Sequence, residues 1–314
     1  MLSQRSPYLE HARLQALKPA LQLRSHVLHA LRDWFRREGF MEVETPIRLP
    51  TPALELHIDA EPSGAGFLRT SPELHMKRLL AAGCSKIFQI GPCFRKGERG
   101  DRHNPEYTML EWYRTNADYY CIMADTESLL THISALCSPP FALCPSPFAL
   151  CPSPWPQLCI EELFLQHAGW NPVESYDAER FEHDLVHKVE PALPRDTPVF
   201  VMDYPAPAAA LSRRKPGRER VAERFELYIN GIEIANAFSE LIDPAEQRCR
   251  FEAWARERQS AGAPVYPLDE AFLAALELGM PPSGGIALGI DRLIMVLLGA
   301  TSLDAVMAFR EFRS

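Results

Sequence analysis

The chain has 314 residues, 46% of them hydrophobic and 24% charged, which excludes general disorder and fits one large domain or two smaller ones. Its 33 Lys and Arg against 41 Asp and Glu give a formal net charge of −8, which speaks against bulk, sequence-blind binding to nucleic acid. No apolar run approaches the roughly 18 residues of a spanning helix, and Met1 to Leu9 lacks a signal-peptide core, so the sequence reads as cytoplasmic, with no membrane contact.

In chain order, Leu23, Val27, Leu31, Trp34 and Phe35 form a helical stripe over 21–38 that stops at Gly39. Met41 and Val43 alternate with Glu42 and Glu44, a strand ended by Pro46. Ser71-Pro72-Glu73 predicts a helix start, with Ser as N-cap, Pro at the first helical position and a carboxylate near the positive end; Gly83 closes that helix. Lys86 to Arg95 and Pro105 to Tyr113 favour strands around a charged, Gly-containing loop, Lys96 to Asn104.

The segment 137–159 is different. It holds Cys137, Cys144, Cys151 and Cys159, and reads FALCPSP twice, over 141–147 and 148–154. None of these cysteines forms a C-x-x-C pair, so a zinc site is not supported, and proline recurs too often for a helix or central strand. The segment is expected to be a mobile insertion in a single domain spanning 1–314. Beyond it, Phe225 to Ile229 meets Asn230-Gly231, the strongest short hairpin signal, and Ile232 to Phe238 returns. Gly284-Gly285 leads into a short strand and a helix, Asp291 to Leu298, closed by Gly299. Long antiparallel hairpins mixed with helices predict an α+β fold, an antiparallel β-sheet flanked by helices.

No P-loop, no G-x-G-x-x-G after a strand, no H-E-x-x-H and no G-x-S-x-G occurs. A nucleotide would therefore be held by arginines, whose planar fork of donors suits phosphate. Three clusters fit that chemistry. They are the hairpin Phe94 to Arg114, the two-carboxylate stretch GIEIANAFSEL (Gly231 to Leu241), and GGIALGIDRL (Gly284 to Leu293).

In this order the clusters resemble motifs two and three of class II aminoacyl-tRNA synthetases, and GFMEVETPI (Gly39 to Ile47) resembles motif one. HNPEYTMLEWY (His103 to Tyr113) and TSPELHMKRLL (Thr70 to Leu80) are similar to the lysyl branch. The resemblance runs from about residue 20 to about residue 312, insertion excepted. About twenty residues precede the first core helix, too few for an anticodon-binding barrel, so the chain most resembles the elongation factor P–lysine ligase family. Ala287, where lysyl-tRNA synthetases carry Gly, agrees, because a methyl in the pocket floor suits a β-amino isomer.

The resemblance implies ATP and Mg²⁺ as cofactors, lysine or (R)-β-lysine as substrate, elongation factor P as acceptor, no stable tRNA binding, and a homodimer through the motif-one face. It implies Arg95 and Arg292 as catalytic residues on the phosphates, and Lys96, Glu98, His103, Asn104, Tyr107, Glu233, Ile234 and Gly289 around ATP. Glu98 stands one place later than the motif-two Glu of lysyl-tRNA synthetases, with Gly97 in its stead. Ser71, Glu73, Glu111, Tyr113, Glu240 and Ala287 are implied to line the substrate pocket, and Glu233 with Glu240 to hold Mg²⁺. Glu111 and Tyr113 share a strand face by period two. Glu233 and Glu240, seven apart, require a bulge between them to share one. The basic run Arg213, Arg214, Lys215, Arg218 and Arg220 reads as a solvated face or as a docking patch for the acceptor. A minimal lysyl-tRNA synthetase and a catalytically silent binding paralogue stay open as alternatives.

Overall fold

A computed structural model of the chain describes residues 7–134 and 153–310; most of the FALCPSP repeat lies outside the described residues. The first helix, α1, runs Pro7–Arg37, well upstream of the expected start. Pro19 sits inside it. A proline removes one helical hydrogen bond and so reads as a boundary in sequence, but here the helix continues through it. Leu17, Ala20, Leu23, Val27, Leu31, Trp34 and Phe35 bury one stripe.

Strand β1 (Met41–Glu42) is only two residues long. A small sheet of β2 (Arg48–Leu49), β3 (Pro62–Ser63) and β4 (Gly66–Leu68) follows, in the order β2-β4-β3. Helix α2 (Glu73–Ala81) begins just after Pro72; the Ser71 hydroxyl accepts from the Glu73 N–H at 2.9 Å, satisfying one exposed donor of its first turn. Strands β5 (Lys86–Phe94) and β6 (Glu106–Thr115) form the expected hairpin. Helix α3 (Tyr119–Ser134) comes next.

After the insertion come β7 (Gln157–Cys159), α4 (Ile160–His167), α5 (Ala178–Asp184), β8 (Val199–Pro205) and β9 (Arg214–Lys215). The boundary expected at 159 is corrected here. Trp155 is buried against Phe200, and β7 pairs with β8 in parallel, so Trp155 joins the core and 157–159 belong to the sheet. Prolines around a three-residue edge strand masked it.

The second hairpin joins β10 (Arg218–Ile229) to β11 (Ile232–Ser239) through Asn230 and Gly231, both at positive φ as a two-residue turn of this kind requires. Helices α6 (Pro244–Ser260) and α7 (Glu270–Gly279), strand β12 (Ser283–Gly289) and helix α8 (Ile290–Leu297) complete the fold. The main sheet runs β1-β5-β6-β12-β11-β10-β8-β7, with β9 beside β10. It is antiparallel from β5 to β8 and parallel only at its outer pairs, β1–β5 and β7–β8.

Alternation along the strands decides which face meets which helices. Phe88 and Trp112 join α1, α3 and α8 in one core, whereas their neighbours Ile87 and Tyr113 join α2, α6 and α7 in another. The second face carries the cavity.

Candidate active site

A cavity of about 620 Å³ opens over β6, β12, β11 and β10, walled by residues 55–58, the β5–β6 loop and the starts of α2 and α8. Its two ends differ in chemistry.

One end is acidic. On β6, Glu111 and Tyr113 point the same way, and the Tyr113 hydroxyl donates to Glu111 Oε2 at 3.0 Å. Ser71 donates to Glu111 Oε1 at 2.7 Å, so the residue that organises the start of α2 also orients this acid. Burial, then the nearby Glu73 charge, pushes the Glu111 carboxyl up to about 8. One turn along α2, the fully buried Lys77 bridges Glu73 Oε1 at 2.6 Å and Glu240 Oε2 at 2.5 Å. Burial alone would lower the lysine, but the two carboxylates outweigh it and raise it. Glu240 itself is pushed up to about 7 by burial, against the pull of Lys77. A Cβ at Gly285 would lie 2.4 Å from Glu240 Oε1, so only glycine here lets the buried Glu240 carboxylate pack against β12 just beneath the cavity lining. In register, Ala287 lies between Glu111 of β6 and Asn236 of β11, in the floor.

The other end is cationic. Arg95 leaves the end of β5 with Tyr107 under its guanidinium at 5.4 Å and Glu98 at 3.6 Å; its Nε is buried without a partner. Burial draws its pKa down, but Tyr107 and the acids Glu55, Glu98 and Glu233 hold it above its ordinary value. Arg292, in the first turn of α8, donates to His103 Nε2 at 2.7 Å and to Glu233 Oε2 at 3.2 Å. Burial and then the Arg292 charge hold His103 low, so the imidazole stays neutral and accepts this bond. Asn104 is buried, donating to the Glu106 carbonyl at 2.6 Å. The Tyr107 hydroxyl donates to the Thr70 carbonyl at 3.1 Å. Ile234 and Gly289 also line the cavity.

The required bulge is present. Leu227 pairs with Ala235 and Tyr228 with Glu233, leaving Ile234 as the extra residue and bringing Glu233, Asn236 and Phe238 to the cavity face. Two implied roles are nevertheless corrected. Glu233 and Glu240 cannot share a metal: the strand between them spans roughly 20 Å at ~3.3 Å per residue. Oxygens on one Mg²⁺ lie within about 4 Å of each other. Glu240 is tied to Lys77 instead. Lys96, implied near ATP, is exposed and outside the cavity, its backbone N–H donating to the Asp59 carbonyl at 2.8 Å.

Several residues in and beneath the cavity lining escaped the sequence reading. Glu226 on β10, opposite Asn236 in register, is the largest charge effect raising Glu233 after burial. It accepts from Tyr204 at 2.7 Å, Tyr228 at 2.8 Å and Arg224 at 2.5 Å. The Asn230-Gly231 turn pairs Ile229 with Ile232, and the bulge then shifts the register by one so that Glu226 meets Asn236; a hairpin argument that included the bulge would have reached both. Lys77, four residues after Glu73 on a helix, was equally readable. Glu55, pushed up to about 7 chiefly by burial, sits on an irregular segment that gave no signal. Of the basic run, Arg213, Arg214, Lys215 and Arg218 are paired with Glu223, Glu246, Asp203 and Glu161. Arg220 and Arg214 line a neighbouring cavity of about 460 Å³. Among the described residues no group of three or more His, Cys, Asp or Glu side chains is arranged to hold a metal, and no helix is long and apolar enough to cross a membrane.

A sheet of this topology carrying an arginine on a hairpin and another at a helix start is the class II synthetase catalytic architecture. The chain belongs to the family of tRNA synthetases class II (D, K and N), whose description matches residues 2–313. Within it, the sequence is 38% identical to the elongation factor P–(R)-beta-lysine ligase of Klebsiella pneumoniae (strain 342), over 94% of this chain and 96% of that protein. Proteins of the same name from Hamiltonella defensa and Vibrio cholerae are 40% and 39% identical over 91% and 92% of this chain and 93% and 94% of theirs. The chain therefore belongs with the ligase branch.

Proposed function

We propose that the enzyme activates (R)-β-lysine, or lysine, with ATP as an acyl-adenylate and transfers it to a lysine side chain of elongation factor P. The observation that carries this reading is the joining of an acidic, amine-accepting end and an arginine end in one cavity. A diamino acid fits that polarity, ammonium groups toward Glu73, Glu111 and Glu240, carboxylate toward Arg95. A substrate carboxylate oxygen attacks the α-phosphorus and pyrophosphate leaves. The acceptor's free amine then attacks the acyl carbon, forming the amide and releasing AMP.

Arg95 is suited to bridge the substrate carboxylate and α-phosphate, and its unpartnered buried Nε favours an anionic ligand. Arg292 suits the terminal phosphate, with neutral His103 and Glu233 holding its fork in place. Glu98 and Asn104 are assigned to the adenine and ribose edges, Tyr107 to the base face, and Ile234 and Gly289 to the nucleotide walls. Glu233 and its neighbour Glu226 repel each other in the absence of a cation, which suits Mg²⁺ held by Glu233, Glu226 and phosphate oxygens. When bound, the ion neutralises charge on the leaving pyrophosphate.

The neighbouring cavity, which shares Tyr176, Pro207, Ala210 and Trp254 with the first and adds Arg214, Arg220 and Arg250, is assigned to the approach of the acceptor protein. Exposed Met41 and Ile47 support a homodimer through the segment 39–47. The acceptor places the enzyme in the cytoplasm, without a stable tRNA complex. ATP–pyrophosphate exchange with each lysine isomer tests the first step: exchange that depends on a lysine isomer is expected, and its absence with both would refute the reading.

A further inference from the structure

The acidic end contains a cation of its own. Lys77 is fully buried, contacts one oxygen of Glu73 and one of Glu240, and comes from α2, while Glu240 follows β11 on the other side of the pocket. A cation of this kind is unexpected where a ligand's ammonium groups must bind, since it competes for the same carboxylates. It does not fill both. Glu240 Oε1 has no hydrogen-bond partner and lies buried against the backbone of Gly285, which lines the cavity, and Glu73 itself lines the cavity.

We propose that Lys77 is a positioning residue that sets the spacing between Glu73 and Glu240, and through it selects among diamino acids by the distance between their amines. This rests on the function proposed above. The two lysine isomers carry the same groups but differ by one methylene in the separation of their nitrogens. A pocket discriminates between them only if its two acids hold a fixed distance. Without a bridge, two buried carboxylates repel, one takes up a proton, and the spacing is lost. The bridge is stiffened from both sides. The start of α2 is tied to β6 through Ser71 and Glu111, and Glu240 is locked into the sheet by its backbone N–H on the Ser283 carbonyl at 2.9 Å. A ligand amine thus meets one oxygen of each acid at a separation set by the length of the Lys77 head group.

The test compares wild type, K77R, K77M and K77A in ATP–pyrophosphate exchange with α-lysine and (R)-β-lysine, with thermal melts as the fold check. K77R keeps the charge and widens the bridge, so the ratio of kcat/KM between the isomers should change by about tenfold or more, the range that one methylene of mismatch commands. K77M should raise the KM for both isomers well above its effect on the KM for ATP. Added n-propylamine should restore part of the K77A activity, and matched sodium chloride should not. A folded K77R with the wild-type isomer ratio overturns the proposal, as does a K77A enzyme that loses both isomers equally and ignores the amine. Wild type that activates neither isomer brings down the underlying reading, visibly and before any variant is tested.

Discussion

The tightest spot in the pocket is Gly285, and adding one methyl there tests its construction. A Cβ at this position would lie 2.2 Å from two ring carbons of Tyr113 and 2.4 Å from Glu240 Oε1. Carbon atoms rest at about 3.5–4.0 Å, so the neighbours would have to retreat by more than 1 Å. Neither is free to do so. Tyr113 is buried and anchored by its hydroxyl to Glu111 at 3.0 Å, and Glu240 is held by Lys77 at 2.5 Å. Overpacking of this kind costs ~1–3 kcal/mol, to which any break in the Lys77 bridge adds. At about 2–4 °C per kcal/mol for chains approaching this size, G285A should melt several degrees below wild type. Because the displaced groups are those assigned to the amines, the KM for lysine should rise by tenfold or more and the KM for ATP much less. The stability control is G289A, whose Cβ meets nothing closer than 3.9 Å and should not move the melting temperature. Differential scanning fluorimetry and pyrophosphate exchange read both effects. A G285A enzyme with wild-type melting and wild-type lysine KM would refute the reasoning.

Three further outcomes are expected. Burial and Glu73 push Glu111 up to about 8, so between its ordinary value and about 8 the folded enzyme holds a proton that the unfolded chain has lost; this contribution to stability falls as pH rises through that window. Binding an ammonium favours the ionised carboxylate, so the KM for lysine should fall from about pH 6 to about pH 8.5, and E111Q should remove the upper part of that slope and leave the part that Glu240, pushed up to about 7, contributes. A287G, which empties the floor between Glu111 and Asn236, should shift preference toward α-lysine by ~10-fold in kcat/KM; an unchanged ratio would remove Ala287 from isomer choice. R220E should raise the apparent KM for elongation factor P and spare pyrophosphate exchange, since Arg220 lines the neighbouring cavity and not the first.

Much of the catalytic scaffold was legible because its signals are local. Asn-Gly fixed one hairpin, Ser-Pro-Glu marked one helix start, and period two put Glu111 and Tyr113 on one face, where they touch. The bulge at Ile234 was demanded by the seven-residue spacing of two acids and is found. What failed depended on distance along a strand or on long-range packing. Glu233 and Glu240 pair as metal ligands in the sequence because they share one motif, whereas the carboxylate whose charge acts most on Glu233 is Glu226, on the opposite strand of the hairpin. Lys96 was included for its neighbours in sequence, yet the loop turns it outward. The upstream half of α1 was hidden by Pro19, and β7 by the prolines around it. Four of the five cations in the basic run gave no sign in sequence of the acids that pair with them, because those acids come from other elements.

The central claim is that one cavity loads a lysine isomer onto a protein. The direct measurement incubates the enzyme with ATP, Mg²⁺ and labelled α- or (R)-β-lysine, offering purified elongation factor P and lysine tRNA as competing acceptors. The account predicts label on the protein, with the β isomer preferred and the tRNA unlabelled. Label confined to tRNA, or to neither acceptor despite adenylate formation, would contradict it.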